Sequence, residues 1–222
     1  MEAPVTIAVG PIALEGSLAY PADRTLGGVV VCHPHPLYGG EMNNPVVLRA
    51  SEVCQAAGLA TLRFNFRGVG RSGGVHADGE GEQEDLAAAL DFLEGQLESV
   101  PLGVAGYSFG AWVGSRLAHR ERRVAALAAI APPLAFHDFD FLAGSSRVTL
   151  LVGGSRDEYC PRDKLEALAR RVPGARVALI EGADHFFFGK LYPLGEAVAG
   201  WAREWPGSAP ISGDAVRNGG SR

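Results

Sequence analysis

Cysteine is scarce in this chain of 222 residues, which contains only Cys32, Cys54 and Cys160. The number is odd and the spacings differ from those of metal-binding cysteines, so neither a disulfide framework nor a zinc site is expected from them. Unpaired thiols are typical of proteins in a reducing compartment. The sequence therefore predicts a cytoplasmic protein with free cysteines.

Positive charge and long apolar segments are also lacking. The chain has 20 Lys and Arg residues against 25 Asp and Glu residues, a net charge of −5, which provides no basic surface for nucleic acid. No apolar run approaches the roughly 20 residues of a membrane-spanning helix, and the first residues lack the charged and apolar regions of a signal peptide. We therefore expect no nucleic acid partner and no membrane span.

The length suits one α/β domain with a sizeable core, and no internal repeat divides it. Turn-forming residues become frequent after Trp205, and terminal segments of this composition often fray. We predict a single domain over residues 1–206 and a flexible tail over residues 207–222.

Short apolar runs alternate with helical patterns along the chain. The first two runs flank a Gly-Pro turn and predict an antiparallel hairpin, whereas the later ones are almost continuously apolar, as parallel strands covered on both faces are. The predicted strands are Val5–Val9, Leu14–Tyr20, Gly28–Cys32, Ala60–Phe64, Leu102–Ala105, Ala125–Ile130, Val148–Val152 and Arg176–Ile180.

Five segments between these strands have helical apolar spacing or helix boundary signals. This alternation predicts a doubly wound, mostly parallel α/β sheet with an antiparallel N-terminal hairpin. The predicted helices are 44–57, 80–97, 108–120, 161–171 and 189–205.

A Gly-x-Ser-x-Gly motif at residues 106–110 follows one predicted strand and precedes a predicted helix. In that context the serine sits on a sharp, strained turn that exposes its hydroxyl as a nucleophile. A second match at residues 70–74 is followed by turn-like residues with no helical spacing. We therefore predict Ser108 as the nucleophile and interpret Ser72 as a loop residue.

An acid and a base follow two later strands. Asp157 comes after the strand at 148–152, and His185 comes after the strand at 176–180. Ligands bind at the carboxyl ends of such strands, and Ser, Asp, His is the chain order of triads on α/β-hydrolase sheets. We predict Asp157 and His185 as catalytic, with Asp138 and Asp140 as rival acids in a loop that no strand immediately precedes.

The tetrahedral intermediate of acyl transfer needs two hydrogen-bond donors for its oxyanion. The N–H of Phe109, directly after the nucleophile, is the first predicted donor. The second should come from the loop after the strand at 28–32. Proline has no N–H, which excludes Pro34 and Pro36 and leaves His35, the preferred donor, or Leu37.

The pair His33 and His35 has an alternative interpretation as a metal site. No Asp or Cys follows closely enough to complete a ligand set, so we predict no metal and no cofactor.

The motifs at residues 33–40, 63–72, 106–110, 157–158 and 183–187 resemble those of the small, lidless branch of the α/β-hydrolase superfamily, which includes hydrolases and esterases. Some relatives resemble dienelactone hydrolase, but those enzymes have a cysteine nucleophile where this chain has Ser108, so that reaction is not implied. The resemblance covers about residues 5–205. It places Asn65 and Arg67 in a loop where ordering of the backbone is the expected role, with contact between Arg67 and an acidic substrate group as the alternative.

Residues 131–147 are too few for a multi-helix lid, so a shallow cleft is expected. We predict hydrolysis of small or short-chain carboxylic esters through an acyl-enzyme. The alternatives are a thioesterase, peptidase or acyltransferase with the same triad, or a binding protein that keeps the fold without turnover. The candidate cleft residues are Tyr38, Arg67, Phe136, Phe139 and Phe186.

Overall fold

Eight strands form one sheet in the computed structural model, which describes residues 2–206. The order across the sheet is β1-β2-β4-β3-β5-β6-β7-β8. The pairs β1–β2 and β2–β4 are antiparallel, and all later pairs are parallel. The strands are β1 (Glu2–Val9), β2 (Ile12–Ala19), β3 (Gly27–Cys32), β4 (Leu59–Phe64), β5 (Leu102–Tyr107), β6 (Val124–Ile130), β7 (Val148–Gly154) and β8 (Arg176–Ile180).

Helices cover the sheet, and their ends follow from local chemistry. Helix α1 begins at Pro45, whose missing N–H would have no partner there, and the Asn44 side chain accepts a hydrogen bond from the Val46 N–H at 3.0 Å. The helices are α1 (Pro45–Ala56), α2 (Glu80–Gly95), α3 (Phe109–Arg120), α4 (Arg162–Arg171) and α5 (Leu191–Glu204). Within residues 2–206, no helix is long and apolar enough to cross a membrane.

The core lies on both faces of the central strands. Every residue of β3, β4 and β5 is buried, which explains why these strands are almost continuously apolar in the sequence. At Gly103 an added Cβ would lie 2.9 Å from the Trp205 ring, so the indole packs directly on the backbone of β5.

The predicted fold class is confirmed, with all eight strands and all five helices present. The strand β5 runs to Tyr107 and β7 runs to Gly154, each two residues beyond its predicted end. Two single 3₁₀ turns, Pro36–Tyr38 and Asp140–Leu142, were not predicted. The expected tail at 207–222 lies outside the described residues.

Candidate active site

Ser108 occupies a sharp turn between β5 and α3, at the carboxyl edge of the parallel strands. Its backbone has φ 54° and ψ −116°, a conformation that side chains with a Cβ rarely adopt. The flanking glycines are required by space. A Cβ at Gly106 would lie 2.2 Å from the Gly110 carbonyl oxygen, and one at Gly110 would lie 2.5 Å from that of His33. The turn is thus closed too tightly for any residue other than glycine at these positions.

The side chains of Ser108, His185 and Asp157 form one continuous chain of hydrogen bonds. The Nε2 atom of His185 lies 2.9 Å from the Ser108 Oγ atom. On the other side of the ring, His185 Nδ1 lies 2.9 Å from Asp157 Oδ2 and 3.0 Å from Oδ1. The Asp157 and His185 side chains are both buried, so water is largely excluded from this chain.

Asp157 is oriented by the turn that follows β7. Its Oδ1 atom accepts the N–H groups of Tyr159 and Cys160, both at 2.9 Å, which fixes the carboxylate plane. Neither rival acid reaches His185. The Asp138 carboxylate accepts the Asp140 N–H, and Asp140 forms an ion pair with Arg171.

Tyr107, a residue whose role the sequence did not reveal, anchors the loop that carries His185. Its hydroxyl donates to the His185 carbonyl oxygen at 2.9 Å, and its ring lies 6.4 Å from the buried ring of Phe187. Burial raises the pKa of Tyr107, and the charge of Asp157 adds to that shift, so the hydroxyl remains a donor. The nucleophile strand is therefore tied directly to the backbone of the histidine loop. Its only signal in the sequence was its place inside the Gly-x-Ser-x-Gly motif.

The loop after β3 contains the two candidates for the second oxyanion donor, the N–H groups of His35 and Leu37. The Leu37 N–H donates to the Nδ1 atom of His35 at 3.2 Å. Within residues 2–206, neither the His35 N–H nor the Phe109 N–H has a hydrogen-bond acceptor. The His35 ring lies 4.7 Å from the ring of Phe109, which places the two residues side by side. The geometry thus favours His35 over Leu37 as the partner of Phe109.

A second histidine and carboxylate pair, missed in the sequence, supports the His35 loop. The His76 ring lies 4.9 Å from the His35 ring, and its Nδ1 atom lies 2.7 Å from Glu82 Oε1. Glu82 is fully buried and also accepts the N–H groups of Ala77 and Gly79. The first turn of α2 therefore positions a ring directly behind the candidate oxyanion loop.

His33 is a buried, neutral histidine with both ring nitrogens occupied. Its Nδ1–H donates to the Pro34 carbonyl oxygen at 2.6 Å, and its Nε2 atom accepts the Phe66 N–H at 3.0 Å. A metal ion at His33 would have to break one of these bonds, so the alternative of a His33 and His35 metal pair lacks a free ligand. Burial lowers the pKa of His33 to about 4, because a charged imidazolium would lose its hydration inside the protein.

We expect His33 to make the protein less stable in mild acid. Because its pKa is about 4 in the fold against an ordinary 6.5, the unfolded chain binds more protons between these values. The contribution of His33 to the free energy of unfolding is fully present above pH 6.5. It declines as the pH falls towards 4, and the total loss is about 3 kcal/mol. The check is the imidazole ¹⁵N NMR spectrum, in which the His33 ring should stay neutral at pH 5 in the folded protein and titrate normally in urea. Protonation of His33 above pH 6 in the folded protein would contradict this assignment.

The five candidate cleft residues divide into two groups. Tyr38, Phe136 and Phe186 have exposed rings, as expected of residues at the edge of a shallow cleft. The expectation for Phe139 needs correction, because its ring is buried and stacks on Phe141 below the second 3₁₀ turn.

The Arg67 guanidinium is bound to helix α2. It contacts the buried Asp85 carboxylate at 2.8 and 3.0 Å and Glu84 at 3.0 Å, and the Arg67 N–H also donates to Asp85. Its charge is balanced inside the protein, which corresponds to the backbone-ordering role and not to contact with an acidic substrate group.

Comparison with known proteins identifies the family and the fold of this chain. The sequence profile described as "Alpha/beta hydrolase domain" matches residues 29–191. An alpha-beta serine hydrolase homologue from Coxiella burnetii is 35% identical, with a TM-score of 0.84 over 89% of this chain and 95% of its own. A serine hydrolase without a lid from Xanthomonas campestris is 30% identical, with a TM-score of 0.83 over 94% and 97%. An uncharacterized protein of Rickettsia prowazekii is 35% identical over 83% of this chain and 82% of its own. The chain therefore belongs to the alpha/beta hydrolase family, among members that have no lid.

Proposed function

We propose that this protein hydrolyses carboxylic esters of small or short-chain acids through an acyl-enzyme on Ser108. The observation that carries the proposal is the unbroken hydrogen-bond chain from Ser108 through His185 to Asp157, set on a strained turn. Such backbone strain costs about 1–3 kcal/mol and persists where it serves a function. A protein that only bound a partner would have no use for the strained serine, the base and the acid together.

In the first half of the reaction His185 acts as general base. Its Nε2 atom takes the Ser108 proton while Oγ attacks the ester carbonyl carbon, because a serine hydroxyl is a poor nucleophile at neutral pH. The N–H groups of Phe109 and His35 stabilise the oxyanion that forms. Asp157 holds the ring with Nδ1 protonated and stabilises the imidazolium.

The second half releases the two products. The His185 imidazolium gives its proton to the alcohol oxygen as the bond from that oxygen to the carbonyl carbon breaks, which leaves an acyl group on Ser108. Water then attacks the acyl carbon while His185 takes one of its protons. The bond from the acyl carbon to Ser108 Oγ breaks, His185 returns the proton to Oγ, and the acid leaves. Every proton transfer in this scheme uses a group of this chain, so the proposal includes no cofactor.

Small acyl groups are proposed because residues 131–147 contain one 3₁₀ turn and no lid that could enclose a long chain. The three cysteines are free and buried, and burial raises the pKa of Cys54 to about 12, so they are poor nucleophiles. Free thiols also support the proposed cytoplasmic location. Thioesters, peptides and acyl transfer remain alternatives for the same triad.

A substrate panel tests the proposal. Purified protein is assayed with acetyl, butyryl and decanoyl esters, with butyryl thioester and with a peptide amide, alongside Ser108→Ala. We expect turnover of the acetyl and butyryl esters that disappears in Ser108→Ala, falls for the decanoyl ester and is unaffected by a metal chelator. A preference for thioester or peptide would replace the substrate assignment, and ester turnover that persists in Ser108→Ala would overturn the mechanism.

A further inference from the structure

Four exposed aromatic rings form a continuous surface beside the candidate triad, which we call the aromatic wall: Phe136, Tyr159, Phe186 and Phe188. Their exposed fractions lie between 42% and 77%. Phe136 lies 5.6 Å from Tyr159 and Phe186 lies 5.8 Å from Phe188, as distances between ring centroids. Exposed apolar side chains that are scattered singly are ordinary, whereas exposed rings that cluster often belong to a binding site.

The two halves of the aromatic wall meet at the imidazole of His185. The Tyr159 ring lies 4.7 Å from it and the Phe186 ring lies 5.6 Å from it, both edge to face. The wall therefore flanks the ring that delivers a proton in the proposed reaction.

Backbone bonds hold the wall in place without a ligand. The Ala135 N–H donates to the Tyr159 carbonyl oxygen at 3.0 Å, which joins the loop of Phe136 to the loop of Tyr159. On the other side, the Asp184 carboxylate accepts the Phe186 N–H at 3.0 Å and the Phe188 N–H at 3.4 Å. That carboxylate is thus turned towards the backbone. The backbone that carries the rings is therefore held in place before a substrate binds, which lowers the entropy lost on binding a flat apolar group.

The direction of proton transfer decides which part of a substrate meets the wall. With the carbonyl oxygen directed at the N–H groups of Phe109 and His35, the alcohol oxygen must come within about 3 Å of His185 Nε2 to receive its proton. The alcohol portion of the ester therefore leaves the reaction centre beside the Nε2 edge of His185, the ring that the aromatic wall flanks. The acyl portion points away from that ring.

We propose that the aromatic wall is a leaving-group subsite, and that the preferred substrates are esters of aromatic or arylalkyl alcohols. This inference rests on the proposed esterase function and adds the identity of the alcohol. A ring placed on the alcohol side should stack with the wall, whereas the same ring placed on the acyl side should not.

The test varies the alcohol while the acyl group stays constant. The values of kcat/KM are measured for ethyl, cyclohexylmethyl and benzyl acetate and for ethyl phenylacetate, each divided by the rate of alkaline hydrolysis of the same ester. We expect benzyl acetate to exceed ethyl acetate by about tenfold, as one to two aromatic contacts of ordinary strength would give. Cyclohexylmethyl acetate should fall between them, and ethyl phenylacetate should show no gain.

Variants then locate the preference. In Phe136→Ala and Phe188→Ala, neither of which touches Ser108 or His185, the ratio of benzyl to ethyl acetate should fall severalfold, and Phe136→Tyr should restore it. Tyr20→Ala is the matched control. It removes an exposed ring that follows β2 at the opposite end of the sheet, where Ala19 pairs with Thr61 near the start of β4. That variant should keep the wild-type ratio.

The outcomes separate the subsite from the function. Turnover that depends on Ser108 with a benzyl to ethyl ratio near one, or a ratio that Phe136→Ala leaves unchanged, overturns the subsite and leaves the esterase proposal intact. A gain for ethyl phenylacetate instead of benzyl acetate likewise overturns it. Failure to hydrolyse any of these esters removes the proposed function, and the subsite with it.

Discussion

Replacement of Ser108 by alanine should abolish ester turnover, with a loss in kcat on the order of 10⁶-fold by analogy with serine nucleophiles of triads. The variant removes the Oγ atom, which lies 2.9 Å from the His185 Nε2 atom and is the proposed attacking group. The fold should be retained, because alanine keeps the Cβ at the same backbone angles and the Ser108 N–H bond to the Ile130 carbonyl oxygen does not involve the side chain. Initial rates with a butyryl ester and thermal unfolding curves measure the two effects separately.

Ser72→Ala is the matched control, since Ser72 lies in the other Gly-x-Ser-x-Gly sequence. Its Oγ atom donates to the Asn65 carbonyl oxygen at 2.7 Å and accepts the Glu15 N–H at 3.0 Å, so it joins the loop after β4 to strand β2. The variant should therefore lose about 1–3 kcal/mol of stability at nearly unchanged kcat. Wild-type rates in Ser108→Ala, or loss of activity in a folded Ser72→Ala protein, would contradict the assignment of Ser108 as the nucleophile.

Asp157→Asn should reduce kcat by about 10⁴-fold, as in triads where the acid is replaced by its amide. The asparagine Oδ1 atom can still accept the N–H groups of Tyr159 and Cys160, so the turn after β7 should be preserved. Its amide group would then face His185 Nδ1 and donate to it. That bond favours the tautomer with a proton on Nε2, which is unable to accept the proton of Ser108.

The same change at Asp138 provides the comparison. Asp138 is exposed and accepts the Asp140 N–H within its own loop, so Asp138→Asn should leave kcat within about twofold, as most exposed substitutions do. Thermal unfolding should show both variants folded. A larger loss of kcat for Asp138→Asn than for Asp157→Asn would transfer the acid to the loop between β6 and β7.

The sheet could be predicted because its signals are local. Continuous apolar runs indicate the buried parallel strands, and the Gly-Pro turn between the first two runs indicates the hairpin. The end of β5 was placed too early because Gly106 and Tyr107 belong both to the strand and to the motif. Sequence patterns alone do not separate those two assignments.

The sequence predicts the residue types of the candidate site and their order in the chain. It does not predict the contacts that hold these residues in place. Ser108, Asp157 and His185 follow their strands, and the topology brings such positions to one edge. Their catalytic roles stay predictions until activity is measured. The contact of Tyr107 with the His185 loop joins residues 78 positions apart, which no local pattern indicates.

Aromatic residues in loops were the least predictable. Phe136 and Phe139 lie three residues apart in the same loop, yet one ring is exposed and the other is buried. The sequence around the two rings is similar, and the structure shows that the buried ring of Phe139 stacks on Phe141. Arg67 is a similar case, because its partner Asp85 lies 18 residues further along the chain.

Covalent labelling with a fluorophosphonate tests the central claim most directly, since it requires an activated serine and no knowledge of the substrate. The wild-type protein should take up one label per chain, and mass spectrometry of its peptides should place the label on Ser108. Labelling should be much slower in Asp157→Asn and absent from Ser108→Ala. An unlabelled wild-type protein, or a label on any residue other than Ser108, would contradict the account.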